Sequence, residues 1–273
     1  MKRDAPAFSV TTSFGFEGLL STEGSALVVS TYQAGLVLVL GTDPGTGRLW
    51  ILSRQIERSM GLAVDGPRLA VAGLTRIDTF VDARATTGEA GDPVFVPRTA
   101  HYTADLDVHD IAFDGEGRIV FVNTLFGCLA TTSETHSFQP LWRPPFVSRL
   151  AAEDRCHLNG LAMKDGAPAF VTAVATPAVA AGWREHRRAG GVVVDVASGE
   201  TVAAGLSMPH SPRWHAGRLW VLNAGSGEIG TVDAALGAFI PVAFCPGFLR
   251  GLTFLGRFAI VAGSQPRENS TFG

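Results

Sequence analysis

Three histidines, His109, His157 and His210, fall at or beside one position of a segment that repeats along the chain. His109-Asp110-Ile111-Ala112-Phe113 aligns with Met60-Gly61-Leu62-Ala63-Val64, Asn159-Gly160-Leu161-Ala162-Met163, His210-Ser211-Pro212-Arg213-Trp214 and Arg250-Gly251-Leu252-Thr253-Phe254. Glu17-Gly18-Leu19-Leu20 is a weaker sixth copy. His157 stands two residues before Asn159, which in a strand places it on the same side. Neutral imidazoles converging from rigid strands are what zinc, copper or iron bind, one ring nitrogen going to the metal and the other N–H to an acceptor. Asp110, Asn123 and Asn223 are the candidate acceptors. A polar, water-filled channel without metal and three unrelated structural histidines are the alternatives.

Three imidazoles with no obligatory carboxylate suit a mononuclear transition metal, copper or iron ahead of zinc, whereas calcium would need an oxygen-rich shell. His109, His157 and His210 are therefore the expected metal ligands. Arg250, Asn159 and Arg155 are expected to contact substrate, Arg250 by gripping a carboxylate in two hydrogen bonds unless it pairs with Glu17 instead. Glu17 and Tyr32 are the expected catalytic side chains. A redox-active ion would make the chain an oxidoreductase of the oxygenase or hydroxylase type, and zinc would make it a hydrolase. A third reading is a non-catalytic scaffold whose rim, with Trp142 and Trp183, docks a peptide or protein. His101, His136 and His186 fall in expected surface loops, and His215 falls on a hairpin turn. Gly45-Thr46-Gly47 and Gly225-Ser226-Gly227 read as turns, since neither opens a helix that could cradle phosphate.

The elements that must carry these residues follow from the repeat. Copies 40 to 51 residues apart indicate a propeller or solenoid. Each copy is followed by a turn rich in glycine and aspartate and then by a second apolar run, as in Asp114-Gly115-Glu116-Gly117 before Arg118-Ile119-Val120-Phe121-Val122. Another hairpin follows, for example residues 190–196 and 198–203. Helical periodicity is nearly absent, and 32 glycines and 15 prolines punctuate short strands apolar on consecutive residues, as packing on both faces requires. The expectation is an all-β, six-bladed β-propeller forming one domain over residues 1–273. Repeats of this length are too long for the coils of a β-helix. Residues 136–154 read as a long loop, and residues 175–189 as a second, with a short helix and a solvated charge cluster. The last repeat is short, so the run Ala7–Thr12 is expected to complete it, unless the chain is truncated.

Composition narrows the partners. With net charge −3, only 17% charged residues and no run of lysine or arginine, neither nucleic acid nor an anionic membrane is expected as a partner. A small molecule or a peptide remains as the expected substrate. The longest apolar stretches, such as Leu36 to Leu40, are strand-length, and Met1-Lys2-Arg3-Asp4-Ala5-Pro6 has no apolar signal core. Three cysteines with no C-x-x-C pair fit a reducing compartment, so a cytoplasmic location is expected.

Several longer stretches carry a resemblance. Ser30-Thr31-Tyr32-Gln33-Ala34-Gly35, Trp142-Arg143-Pro144-Pro145-Phe146, residues 153–162 (EDRCHLNGLA) and residues 208–215 (MPHSPRWH) together resemble a bacterial family of propeller-like proteins known as a domain of unknown function. The similarity spans essentially the whole chain. It implies the propeller and strand material beyond Gly273, and it assigns no chemistry to individual residues.

Overall fold

Short apolar runs separated by glycine-marked turns pair into antiparallel hairpins, and in the computed structural model, which describes residues 8–87 and 94–264, they build six sheets. The first sheet holds β1 (Leu27–Thr31), β2 (Leu36–Thr42) and β3 (Leu49–Gln55). The second holds β4 (Leu62–Asp65), β5 (Arg68–Ala72), β6 (Arg76–Asp82) and β7 (Phe95–Tyr102). The third holds β8 (Val108–Phe113), β9 (Ile119–Asn123), β10 (Cys128–Thr131) and β11 (Gln139–Trp142). The fourth holds β12 (Leu158–Lys164), β13 (Ala167–Ala173), β14 (Gly191–Asp195) and β15 (Thr201–Leu206). The fifth holds β16 (Pro209–His215), β17 (Arg218–Asn223), β18 (Glu228–Asp233) and β19 (Ala238–Phe244), and the sixth holds β20 (Phe248–Leu255) and β21 (Phe258–Ser264).

Within each sheet the strands follow chain order, and the first strands pack on one another in sequence: β1 on β4, β4 on β8, β8 on β12, β12 on β16 and β16 on β20. This radial arrangement of sheets is an all-β propeller. Its hydrophobic core is divided among the gaps between sheets. Val120, Val122 and Leu129 of the third sheet meet Leu161, Val171 and Val194 of the fourth, and Leu222 and Ile229 of the fifth meet Leu249 and Leu252 of the sixth. Because each sheet is packed on both faces, its middle strands are apolar on consecutive residues, and β9 is buried along its whole length.

Two expectations about the N-terminal region are corrected. Glu17-Gly18-Leu19-Leu20 lies on a helix, α1 (Phe16–Thr22), not on an inner strand. Phe16, Leu19 and Leu20 have i, i+3, i+4 spacing, Leu20 is fully buried, and Glu17 stands in the first turn, where a carboxylate favours the helix dipole. Residues 8–12 form no strand, so they do not complete the last sheet; Ala7 lies outside the described residues. The carboxylate of Glu23, just past α1, lies against the β20–β21 turn, close enough that a Cβ on Gly256 would meet it at 2.8 Å. The supposed loop 136–154 contains β11, and His101 lies on β7. A second short helix, α2 (Arg84–Thr87), follows β6. Among the described residues no helix is long and apolar enough to cross a membrane.

The inner strands are stitched across the axis by one ion pair. In both β8 and β16 the register shifts at the histidine, between Val108 and Ile111 around His109 and between His210 and Arg213 directly after His210. Such bulges re-aim side chains. Arg213 Nη1 donates to Asp110 Oδ2 at 2.8 Å and Nη2 donates to Oδ1 at 3.2 Å. The same guanidinium donates to the carbonyls of Leu161 at 2.9 Å and Leu252 at 3.2 Å, and Asp110 also accepts the Leu161 N–H at 3.0 Å. Four sheets, the third to the sixth, are joined at this point. On the side away from the histidines the β8–β9 and β12–β13 turns meet backbone to backbone: Gly115 N–H donates to Gly166 O at 2.7 Å, and a Cβ on Gly166 would lie 2.9 Å from Gly115 Cα.

Removing one partner of a buried ion pair strands the other. Asp110→Ala should therefore lower stability by about 2–4 kcal/mol, a range reduced because Arg213 stays partly solvated. Urea denaturation of Asp110→Ala, Arg213→Ala and the double variant checks this; strictly additive losses would show that the pair contributes nothing.

Candidate functional site

The three histidines come from consecutive sheets, and one local device positions two of them. Asp107 and Met208, each two residues before a histidine, have φ of 52° and 46°. In this left-handed conformation each turns its carbonyl onto the ring that follows, so that His109 Nδ1 donates to Asp107 O and His210 Nδ1 to Met208 O, both at 2.8 Å. A non-glycine residue held there costs on the order of 1 kcal/mol, which the surrounding contacts must offset. His157 occupies the equivalent place in the fourth sheet, with φ of 49°, just before β12. Strand alternation therefore does not govern its side chain. Its Nδ1 donates instead to the Asp154 carboxylate, at 3.0 and 3.1 Å.

The rings meet. His109 and His157 make an edge contact with centroids 4.7 Å apart, and His109 lies 6.5 Å from His210. Their tautomers are fixed by their partners. Thr124 Oγ1 spends its proton on Leu158 O at 2.6 Å, so at 2.9 Å from His109 Nδ1 it can only accept. Backbone carbonyls and a carboxylate likewise accept only, so in its neutral form each ring carries its proton on Nδ1 and leaves Nε2 as a lone pair. On His210 that lone pair accepts from Arg250 Nη1 at 3.1 Å. Arg250 also lies over the Phe248 ring, 4.6 Å from its centroid. For His109 and His157, Nε2 has no hydrogen-bond donor among the described residues.

Burial holds His109 and His210 neutral. Loss of hydration is the main cause at both. For His109 the neighbouring His157 ring and, less strongly, Arg250 add to it while Asp107 partly offsets it, and its pKa comes down from the ordinary 6.5 to about 4. For His210 the Arg250 guanidinium is the next cause, and its pKa also falls well below the ordinary value. Neutral imidazoles with Nδ1 tied to acceptors have the donor chemistry of metal ligands. Their placement does not: among the described residues no three His, Cys, Asp or Glu side chains are grouped to hold one ion, and a guanidinium occupies the lone pair of His210.

The other expected residues divide. Arg250 joins the cluster. Asn159 is buried in the same inner layer, its Oδ1 accepting from Thr172 Oγ1 at 2.6 Å while its Nδ2 is buried without a partner. Arg155 is buried as a brace, with Nε donating to Glu153 at 2.6 Å and Nη1 to Ser148 at 2.8 Å. Glu17 is away from the axis, accepting from Thr12 at 2.7 Å, and so is no partner for Arg250. Tyr32 accepts from Arg58 Nε at 2.8 Å, and Arg58 reaches Asp107 at 3.6 Å, which links the tyrosine to the residue whose carbonyl holds His109. The expected acceptors are corrected as well: Asp110 is taken by Arg213, Asn123 Oδ1 accepts from Phe126 N–H, and Asn223 bonds Ser207 and Glu228.

Two residues of the site are not expected there from the sequence, where Trp183 reads as part of a docking rim. Asp154, three before His157, is one, and its spacing to the histidine was the available signal. Trp183 is the other. It lies on a 3-10 turn (Gly182–His186), is 7% exposed, stacks on His157 with centroids 4.1 Å apart and donates its Nε1–H to Asp154 Oδ2 at 2.8 Å. It is thus a wall of the site and not a docking surface on the rim. Trp142, half-buried at the end of β11, packs against the core between the third and fourth sheets. His215 stacks on Phe254, 3.9 Å between centroids, away from the cluster.

The lowered pKa of His109 has a consequence for folding. The unfolded chain takes up a proton near pH 6.5 and the folded chain does not until about pH 4, so stability is lost as pH falls through that window. The loss is at most about 1.4 kcal/mol per pH unit for each such group. Urea denaturation at pH 7 and pH 5 should show a drop for the wild type and a smaller drop for His109→Gln; equal drops would mean that His109 is not held neutral.

A family model described as "Domain of unknown function (DUF4915)" matches residues 14–273. No functionally curated protein matches the chain significantly. Among solved structures, a catalytically inactive virginiamycin B lyase from Staphylococcus aureus with quinupristin is 12% identical, with a TM-score of 0.47 over 89% of this chain and 75% of that one. A streptogramin B lyase is also 12% identical, with a TM-score of 0.48 over 86% and 71%. AztD from Citrobacter koseri is 11% identical, with a TM-score of 0.36 over 89% and 63%. The match over nearly the whole sequence settles kinship where these distant folds do not: the chain belongs to the DUF4915 family of domains of unknown function.

Proposed function

We propose that the axis cluster is the reaction centre of an enzyme that transfers protons on a carboxylate-bearing small molecule or peptide, with His157 as the general base. The reading takes the six sheets as six blades of one propeller, with the histidine ends of the third, fourth and fifth blades forming the site.

The observation that carries it is the asymmetry of the three imidazoles. Of the three rings, His157 is the one whose Nδ1 is hydrogen-bonded to a carboxylate, whereas Asp107 Oδ2 stands 3.7 Å from His109 Nδ1, so a proton accepted at the His157 Nε2 creates an imidazolium paired directly with Asp154. At His109 and His210 burial and Arg250 oppose that charge. These two rings act as fixed hydrogen-bond acceptors. Arg250, held by the His210 lone pair, turns to the substrate carboxylate and balances the negative charge that builds up as the base withdraws a proton from the neighbouring carbon. Trp183 keeps water from one face of the His157 ring. An oxidoreductase or a zinc hydrolase on the same residues requires one ion held by His109, His157 and His210, and the grouping of the side chains favours the proton-transfer reading over both.

Incubation in D2O with a panel of hydroxy acids, amino acids and short peptides, read by mass spectrometry, tests this. Deuterium should enter at carbon next to the carboxylate of accepted compounds, and His157→Gln should slow its entry by about two to four orders of magnitude. Undiminished exchange in His157→Gln overturns the assignment of the base. About one transition metal per purified chain, lost in His109→Gln and in His210→Gln, overturns the proton-transfer reading in favour of the metal centre.

A further inference from the structure

The turn that supplies Trp183 continues into the most concentrated positive charge of an otherwise acidic chain. Arg184, Arg187 and Arg188 lie within five residues, with Glu185 as the only carboxylate among them, while the whole chain carries net charge −3. Residues 184–190 line a cavity of about 370 Å³ and are exposed except for Gly190, which is half-buried. Among the described residues none of these three guanidinium groups is in a salt bridge, although arginines elsewhere in the chain, such as Arg58, Arg118 and Arg213, are.

The turn is held in shape. Gly190 N–H donates to His186 O at 2.8 Å, Arg187 Nε donates to Arg184 O at 3.0 Å, and Ser207 Oγ from the neighbouring segment donates to Arg187 O at 3.3 Å. Arg184 lies over the outer face of the Trp183 indole at 4.6 Å, and the same indole stacks on His157. Positive charge therefore runs from the outside of the turn to the wall of the reaction centre.

We infer that the turn at residues 184–190 is a docking subsite for an acidic peptide segment. The inference deepens the proposed function by assigning its substrate class. The cavity is far larger than a single inorganic anion and follows seven residues of backbone. A ligand reaching from it to Arg250 must carry negative charge at two separated points, as a peptide with several aspartates or glutamates does. Unpaired guanidinium groups in a fixed frame recognise carboxylates in pairs of hydrogen bonds without breaking existing ion pairs. Such contacts at a rim raise the association rate and are screened by salt.

Fluorescence anisotropy with dye-labelled hexaglutamate tests the subsite independently of catalysis. Binding should weaken steeply as salt is raised, fall at least about tenfold in the double variant Arg187→Glu/Arg188→Glu, and be absent for a glycine-serine hexapeptide. Deuterium exchange on small carboxylates should be unchanged in that double variant, because neither side chain touches the imidazoles, so loss of docking and loss of proton transfer are told apart. Undiminished hexaglutamate binding by the double variant overturns the inference. Equal competition by tripolyphosphate would also overturn it, by showing a site for any anion and not for a peptide.

Discussion

The constraint on which the rest depends is the closing of several sheets around one axis, and the Asp110–Arg213 pair is where that closure is made specific. Hydrophobic burial between sheets is large but weakly directional, and it would tolerate one sheet sliding along the next. The guanidinium of Arg213 removes that freedom. It bonds a carboxylate from the third sheet and carbonyls from the fourth and sixth while rooted in the fifth, so the heights of four inner strands are set together. The histidines one residue before Asp110 and three before Arg213 inherit this alignment, which allows rings from different sheets to meet within a few ångströms.

Holding those rings in place away from water uses strained local backbone. Left-handed residues before β8 and β16 aim carbonyls at the ring N–H groups, and at β12 the histidine itself takes the left-handed place and recruits a carboxylate. Two neighbouring positions of the repeat thus yield two kinds of imidazole, two satisfied by the neutral carbonyl of a neighbour and one by a formal charge. That chemical difference, more than the number of histidines, decides what the centre can do.

Much of the architecture was legible because it repeats. The glycine-aspartate turns and runs such as Arg118-Ile119-Val120-Phe121-Val122, which overlaps β9 to within one residue at each end, mark middle strands, since packing on both faces demands consecutive apolar side chains there. Glu17 misled because the tetrapeptide that starts with it matches the repeat over too short a length to tell strand from helix; Phe16 with Leu19 and Leu20 carries the opposing signal. At the site, His109, His210 and Arg250 were legible from their shared register, and His157 from standing two residues before Asn159, although it reaches the cluster from a left-handed residue and not by strand alternation. Asp154, Trp183 and the Asp110–Arg213 pair were not, because each reaches the centre from a loop or a bulge, where neither period two nor period 3.6 applies.

The two ends of the propeller are built by different rules. Opposite the histidines, Gly115 and Gly166 bring neighbouring hairpins into contact with no side chain between them, and Arg68 adds a bond to Gly117 O at 2.9 Å. An extra residue in one of those hairpins would have to push its neighbour aside. The connections at the other end, including residues 143–157 and 174–190, already run long without disturbing the strands they join. Descendants of this scaffold can therefore acquire new specificity by lengthening chain at one mouth only, and the stapled end keeps the barrel of strands unchanged while they do so.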